Sequence, residues 1–136
     1  MNSKNEKITR LTKAEEQVMQ ILWDLNEAVV KEIVDRFEDP KPAYTTVATV
    51  LRVLEKKEFV NFRKIGNTYL YNPKIPKVDY TKHQLSNLLK NYFNGSFPKM
   101  ATFFARENDI SLIELEEILK EAHNELKDNT KNENDE

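Results

Sequence analysis

Between Tyr44 and Lys57 the chain carries two opposed stripes, and no other feature limits its fold so tightly. With Val47 set at 0° and about 100° per residue, Val50, Leu51 and Leu54 fall near 300°, 40° and 340° on the helical wheel. On the same step Thr45, Thr49, Arg52 and Lys56 fall near 160°, 200°, 140° and 180°, diametrically opposite. Thr46 and Val53 flank the polar stripe on one side and Ala48 on the other. Such a helix, predicted over residues 44–57, buries one face in its own domain and offers small hydroxyls and long cations to something outside it. Asp39-Pro40-Lys41-Pro42 stops whatever precedes it, because that run cannot continue a helix.

Two further helices are expected upstream. Thr12 and Glu15 have the spacing of a capping box, and Val18, Ile21, Leu22 and Leu25 then form one apolar face that Asn26 closes. Val30, Ile33, Val34 and Phe37 repeat the pattern in a shorter helix. Downstream, residues 59–63 and 68–71 are rich in aromatic and β-branched side chains and read as a hairpin over 59–71. Lys64-Ile65-Gly66-Asn67 supplies its turn, where Gly66 and Asn67 tolerate φ > 0, and Arg63 and Lys64 stand at its tip. The fold class is therefore mainly α with a small β-hairpin: an N-terminal winged helix-turn-helix followed by a C-terminal region of three helices.

Pro73 to Pro76 marks the domain boundary. The expected organisation is a winged-helix DNA-binding domain over 1–76, a helical dimerisation domain over 77–127 and a disordered acidic tail over 128–136. In the second domain Leu85, Leu88, Leu89, Tyr92 and Phe93 share one face, ended by Asn94-Gly95. Ser96 caps a helix bearing Phe97, Phe103 and Phe104, and Ser111 with Glu114 opens a last one lined by Leu115, Ile118 and Leu119. About 50 residues have difficulty burying that much apolar surface alone. A homodimer buries it, through Leu85, Leu89, Tyr92, Phe93, Phe97, Phe103, Phe104, Leu115 and Leu119. The alternative is a monomer whose aromatics fold back onto the winged helix.

The 21 Lys+Arg against 23 Asp+Glu exclude a uniformly basic nucleic-acid binder, but the balance conceals a division. Residues 41–77 hold eight Lys/Arg and two Glu, a net of +6, whereas residues 107–136 hold three Lys and eleven Asp/Glu, a net of −8. Absent cysteines exclude disulfides, thiolate metal sites and a cysteine nucleophile. With two glycines, two histidines 40 positions apart and no serine elbow, the chain offers no phosphate-cradling loop, metal site, cofactor site or catalytic constellation. An enzyme is not expected. No apolar run approaches the roughly 18 residues of a membrane span. Met1 to Arg10 also lacks the apolar core of a signal peptide, so a soluble cytoplasmic protein is expected.

A helix in the major groove needs one buried face and one that presents donors to base edges, while phosphates demand flanking cations. Thr45, Thr46, Thr49 and Arg52 with Lys56 meet the first requirement, and Arg63 and Lys64 on the wing meet the second. The competing reading is a winged-helix module that docks an acidic protein partner, with no specific DNA target. Trp23 reads as core filling between the first helix and the hairpin. Tyr69 and Tyr71, on one strand face, read as packing. Neither His83 nor His123 is assigned a role.

The residues also resemble a known family. Leu11-Thr12-Lys13-Ala14-Glu15, Val18-Met19, Leu22-Trp23, Tyr44-Thr45-Thr46-Val47, Thr49, Leu51, Leu54, Lys56-Lys57, Tyr69 and Tyr71 are similar to the penicillinase repressors (the BlaI/MecI/CopY group), from about Arg10 to Ala122. That resemblance implies a repressor that binds a palindromic operator on double-stranded DNA as a homodimer, with a membrane sensor protease relieving repression. Two departures matter: Val29 stands where a capping Thr or Ser is common, and the missing cysteines exclude copper sensing by a cysteine cluster. The resemblance further implies cleavage between an Asn and a following Phe in the second C-terminal helix, a position that falls here at Phe103-Phe104. Phe103 replaces the Asn, and a pocket built to hydrogen-bond an amide rejects a phenyl ring strongly. The one Asn-Phe pair, Asn61-Phe62, lies in a predicted strand. Cleavage by an Asn-Phe-specific route is therefore not expected.

Overall fold

The computed structural model describes residues 8–134, with side chains through residue 128. Most of the polar leader, up to Lys7, and the last two residues of the acidic tail lie outside the described residues. The order of elements is α1 (Lys13–Leu25), α2 (Val30–Asp35), α3 (Tyr44–Lys56), β1 (Val60–Ile65), β2 (Thr68–Pro73), α4 (Lys77–Phe93), α5 (Phe97–Glu107) and α6 (Leu112–Asn134). Three helices followed by a two-stranded antiparallel wing form a winged helix-turn-helix, the expected fold.

Local chemistry sets these boundaries. At the start of α1 both halves of the capping box form: the Glu15 amide donates to Thr12 Oγ1 at 3.2 Å and the Thr12 amide to Glu15 Oε1 at 3.0 Å. Val29 has no oxygen with which to cap α2. Only the return half survives there, the Val29 amide donating to Glu32 Oε1 at 3.0 Å. Lys41 Nζ donates to the carbonyls of Asp35 and Phe37 at 2.9 and 2.7 Å, tying down the end of α2 and the loop into α3. A Schellman turn closes α3: the Glu58 amide donates to Glu55 O, and the Phe59 amide reaches back to Leu54 O. Glu58 takes φ 64° to make that turn, a conformation that costs a non-glycine residue about 1 kcal/mol.

The core lies where these elements meet. Val18, Met19 and Leu22 of α1, Ile33 of α2, Val47, Leu51 and Leu54 of α3, and Phe59 and Val60 at the wing's root are all essentially sealed from solvent. The wing is pinned as well as packed: the Ala28 amide donates to Tyr71 O at 2.9 Å and the Tyr71 amide to Ala28 O at 2.8 Å, so the loop after α1 acts as a short third strand. At the wing's tip Gly66 takes φ 60° and Asn67 does not, the pattern of a two-residue II′ turn.

The chain divides into two compact units, residues 1–85 and 86–136. Tyr80, in the second turn of α4, is buried at 4% exposure and belongs to the first unit. Its ring meets Trp23 at 5.6 Å and Phe59 at 5.7 Å between centroids, and its hydroxyl donates to Glu16 Oε2 at 3.3 Å. Trp23 donates its indole N–H to Ile75 O at 2.9 Å. The half-buried indole thus packs against the core beside the wing's exit and the start of α4.

In the second unit Asn94 and Gly95, at φ 56° and 77°, turn the chain between α4 and α5. Ser96 Oγ accepts from the Lys99 amide and Ser111 Oγ from the Glu114 amide, each at 3.2 Å, capping α5 and α6. Disorder is expected from residue 128, but α6 continues to Asn134. No glycine or proline interrupts residues 112–134, so no residue there forces the helix to end. Among the described residues, none beyond Tyr80 is buried. Among those residues no helix is long and apolar enough to cross a membrane.

Candidate nucleic-acid interface

Helix α3 owes its position to three apolar anchors and one ion pair. Val47, Leu51 and Leu54 hold its inner face in the core. Its end is fixed by a residue with no place on the predicted stripe: Lys57 Nζ lies 2.7 Å from both carboxylate oxygens of Glu15 on α1. Glu15 is buried at 4% exposure, which pushes its carboxyl up, but the Lys57 ammonium and the Thr12 donors outweigh burial and hold it below the ordinary range. Nothing in the periodicity marks Lys57 as a partner of Glu15, since 42 residues separate them.

The outer face of α3 matches the wheel. Thr45, Thr46, Thr49, Arg52 and Lys56 are all exposed, and among the described residues no ion pair occupies Arg52 or Lys56. Thr49 Oγ1 donates to Thr45 O at 2.9 Å, which spends its proton within the helix and turns its lone pairs outward as acceptors.

The wing separates two residues that the sequence places side by side. Pairing runs Val60 with Pro73, Phe62 with Tyr71 and Lys64 with Tyr69. Because side chains alternate across a strand, Lys64 shares a face with Phe62, Tyr69 and Tyr71, and Arg63 lies on the other. Arg63 there approaches Glu27, in the loop after α1, at 3.7 Å; both are well exposed, so the pair adds little stability. Lys64 makes no such contact among the described residues. On this face burial raises the Tyr71 phenol, and the Arg52 guanidinium of α3 draws it part of the way back down. Lys64 thus stands on the wing face that carries the buried Val60 and Tyr71, while Arg63 is turned from it.

In the second unit, Leu85 (the last residue before it), Tyr92, Phe97, Phe103, Phe104 and Leu119 are exposed, and Leu89, Phe93 and Leu115 are half-buried. The Phe93 and Phe103 rings meet at 5.5 Å. Among the described residues no group of His, Asp or Glu is placed to hold a metal ion.

The family model for penicillinase repressors matches residues 11–124. The chain is 28% identical over 126 residues to the penicillinase repressor of Bacillus licheniformis, covering 90% of this chain and 98% of that one. To the methicillin resistance regulatory protein MecI of Staphylococcus aureus (strain N315) it is 25% identical over 113 residues, 82% of this chain and 92% of that one. The solution structure of the DNA-binding domain of the repressor BlaI is similar at 28% identity, covering 52% of this chain and 88% of that chain, with a TM-score of 0.46. Matched from its first capping box into its last helix, the chain belongs to the penicillinase repressor family, whose members are DNA-binding transcriptional repressors and not enzymes.

Proposed function

We propose that the protein represses transcription as a homodimer, reading a palindromic operator with α3 and gripping the flanking phosphates with the wing. The observation that carries this reading is the outer face of α3, where Thr45, Thr46, Thr49, Arg52 and Lys56 stand exposed opposite a sealed core. A duplex selected from a randomised pool tests it. Arg52→Ala is expected to weaken that duplex by about 1–3 kcal/mol and to relax preference at one base pair. An equal loss on random DNA would make Arg52 a phosphate contact only.

On the wing the two cations part company. Lys64→Ala is expected to flatten the dependence of log affinity on log salt by about one unit. Arg63→Ala, on the Glu27 face, is expected to leave it nearly unchanged. Equal effects would mean that both faces of the wing meet DNA.

The homodimer is proposed from the second unit, whose apolar side chains line an open groove of about 490 Å³ between α4, α5 and α6 that includes Phe93, Phe97, Phe104 and Ile118. Relief of repression, by a membrane sensor protease or otherwise, is proposed not to use an Asn-Phe cut. Phe103-Phe104 lies inside α5 and must unwind to enter an extended protease cleft, and Asn61-Phe62 lies in β1, paired to β2. The intact mass of protein taken from induced cells checks this: no fragment should end at Asn61.

A further inference from the structure

The wing carries an exposed aromatic surface that its packing does not explain. Phe62 is 45% exposed and Tyr69 is 44% exposed. Their rings meet edge-to-face at 5.1 Å, and Phe62 lies 5.8 Å from the buried Tyr71 behind it. Single exposed apolar side chains need no explanation, but a joined pair held rigid from behind does. Lys64 lies directly across from Tyr69 on this face, and the Arg52 guanidinium acts on Tyr71 at its inner end. Lys64 therefore borders the aromatic pair at its outer end, within a segment whose net charge is +6.

From this placement we infer that the Phe62–Tyr69 pair is an apolar contact for the sugar and groove edge of duplex DNA, beside the phosphate that Lys64 meets. The inference rests on the DNA-binding reading and deepens it. The surface suits that occupant because a duplex offers both what Lys64 requires, a phosphate, and what the rings require, the apolar deoxyribose and groove wall a few ångströms away. The Phe62 ring already packs against Tyr71 and the Tyr69 ring against Phe62, so docking costs little side-chain entropy. Such a contact gains affinity by removing apolar area from water, without releasing counterions. Its mark is a loss of binding that salt does not alter.

Affinities of the full chain for the selected duplex and for a random duplex, measured over a range of salt, test the inference. Phe62→Ala is expected to bind both duplexes about tenfold more weakly with the salt slope of the wild type. Lys64→Ala should change the slope, and Phe62→Leu, which keeps apolar bulk, should retain most of the affinity. Should Phe62→Ala fail to fold, Tyr69→Ser at the outer ring takes its place, with a loss of about fivefold expected. Unchanged affinity for the folded variant, or a loss that vanishes at high salt, would overturn the proposal. So would sedimentation showing that Phe62→Ala changes the oligomeric state, since the surface would then serve a second copy of the chain. If the wild type binds no duplex while Phe62→Ala is folded, the DNA reading itself has failed, an outcome distinct from a binding wild type with an indifferent variant.

Discussion

Replacing Leu119 by Asp is expected to turn a dimer into a monomer and to lower affinity for a palindromic duplex by about 10²–10⁴-fold. The size of the effect follows from linkage. In the proposed dimer, two winged helices joined through their second units bind the second half-site at a high effective concentration, and a monomer forfeits that advantage without losing any contact to DNA. Leu119 is 55% exposed on α6 at the edge of the apolar groove within one chain, so an aspartate there costs a lone chain much less than it costs a dimer. Buried against a partner, the same carboxylate is unpaired and strongly unfavourable. The winged unit should be unaffected, because every buried side chain among the described residues lies between Ile8 and Tyr80. Sedimentation of both proteins at micromolar concentration, with DNA titrations alongside, gives the answer. A wild type that sediments as a monomer would remove the dimer from the account.

Lys57→Met is expected to destabilise the winged unit by about 2–4 kcal/mol at neutral pH, because it leaves the buried Glu15 carboxylate without its counter-ion. Linkage gives the pH dependence its sign. In the wild type the folded carboxyl is held below its unfolded value, so this contribution is complete above the ordinary carboxylate range and is lost as pH falls through the depressed folded value. In Lys57→Met burial acts with less opposition and raises the folded carboxyl. Protonation then favours the folded state, and the deficit between variant and wild type should shrink as pH falls from 7 towards 4. Urea denaturation at several pH values measures it. A constant deficit would mean that Lys57 contributes packing of its stem rather than its charge. Because the pair joins α1 to the end of α3, the same substitution should also weaken DNA binding if residual fluctuation misplaces Arg52.

Much of the fold is legible in the sequence because local signals and tertiary packing agree in the first unit. Thr12 and Glu15 announce the start of α1, the proline-rich stop isolates α3, and the wheel separates Val47, Leu51 and Leu54 from Arg52 and Lys56 without any three-dimensional information. Long-range pairing is what stays hidden. Neither Glu15 with Lys57 nor Trp23 with Ile75 O leaves a periodic trace, and Tyr80 reads as an ordinary helix residue although it closes the core of the winged unit. The separation of Arg63 from Lys64 belongs to another class. Strand alternation alone assigns neighbours to opposite faces, but which face meets α3 depends on register, and register was fixed only by the pairing of Phe62 with Tyr71. Likewise the continuation of α6 past Asp128 follows from the lack of any residue that would stop it, a weaker signal than the polarity that suggests a tail.

The exposed stripe of α3 is the centre of the account, and one titration addresses it most directly. A duplex selected from a randomised pool by the intact protein should contain an inverted repeat, with half-sites about one helical turn apart or a multiple of that. Affinity for it should fall steeply with salt, and Arg52→Ala should lose discrimination between that duplex and a scrambled one. A pool that yields no inverted repeat, together with identical titration curves for wild type and Arg52→Ala, would contradict it.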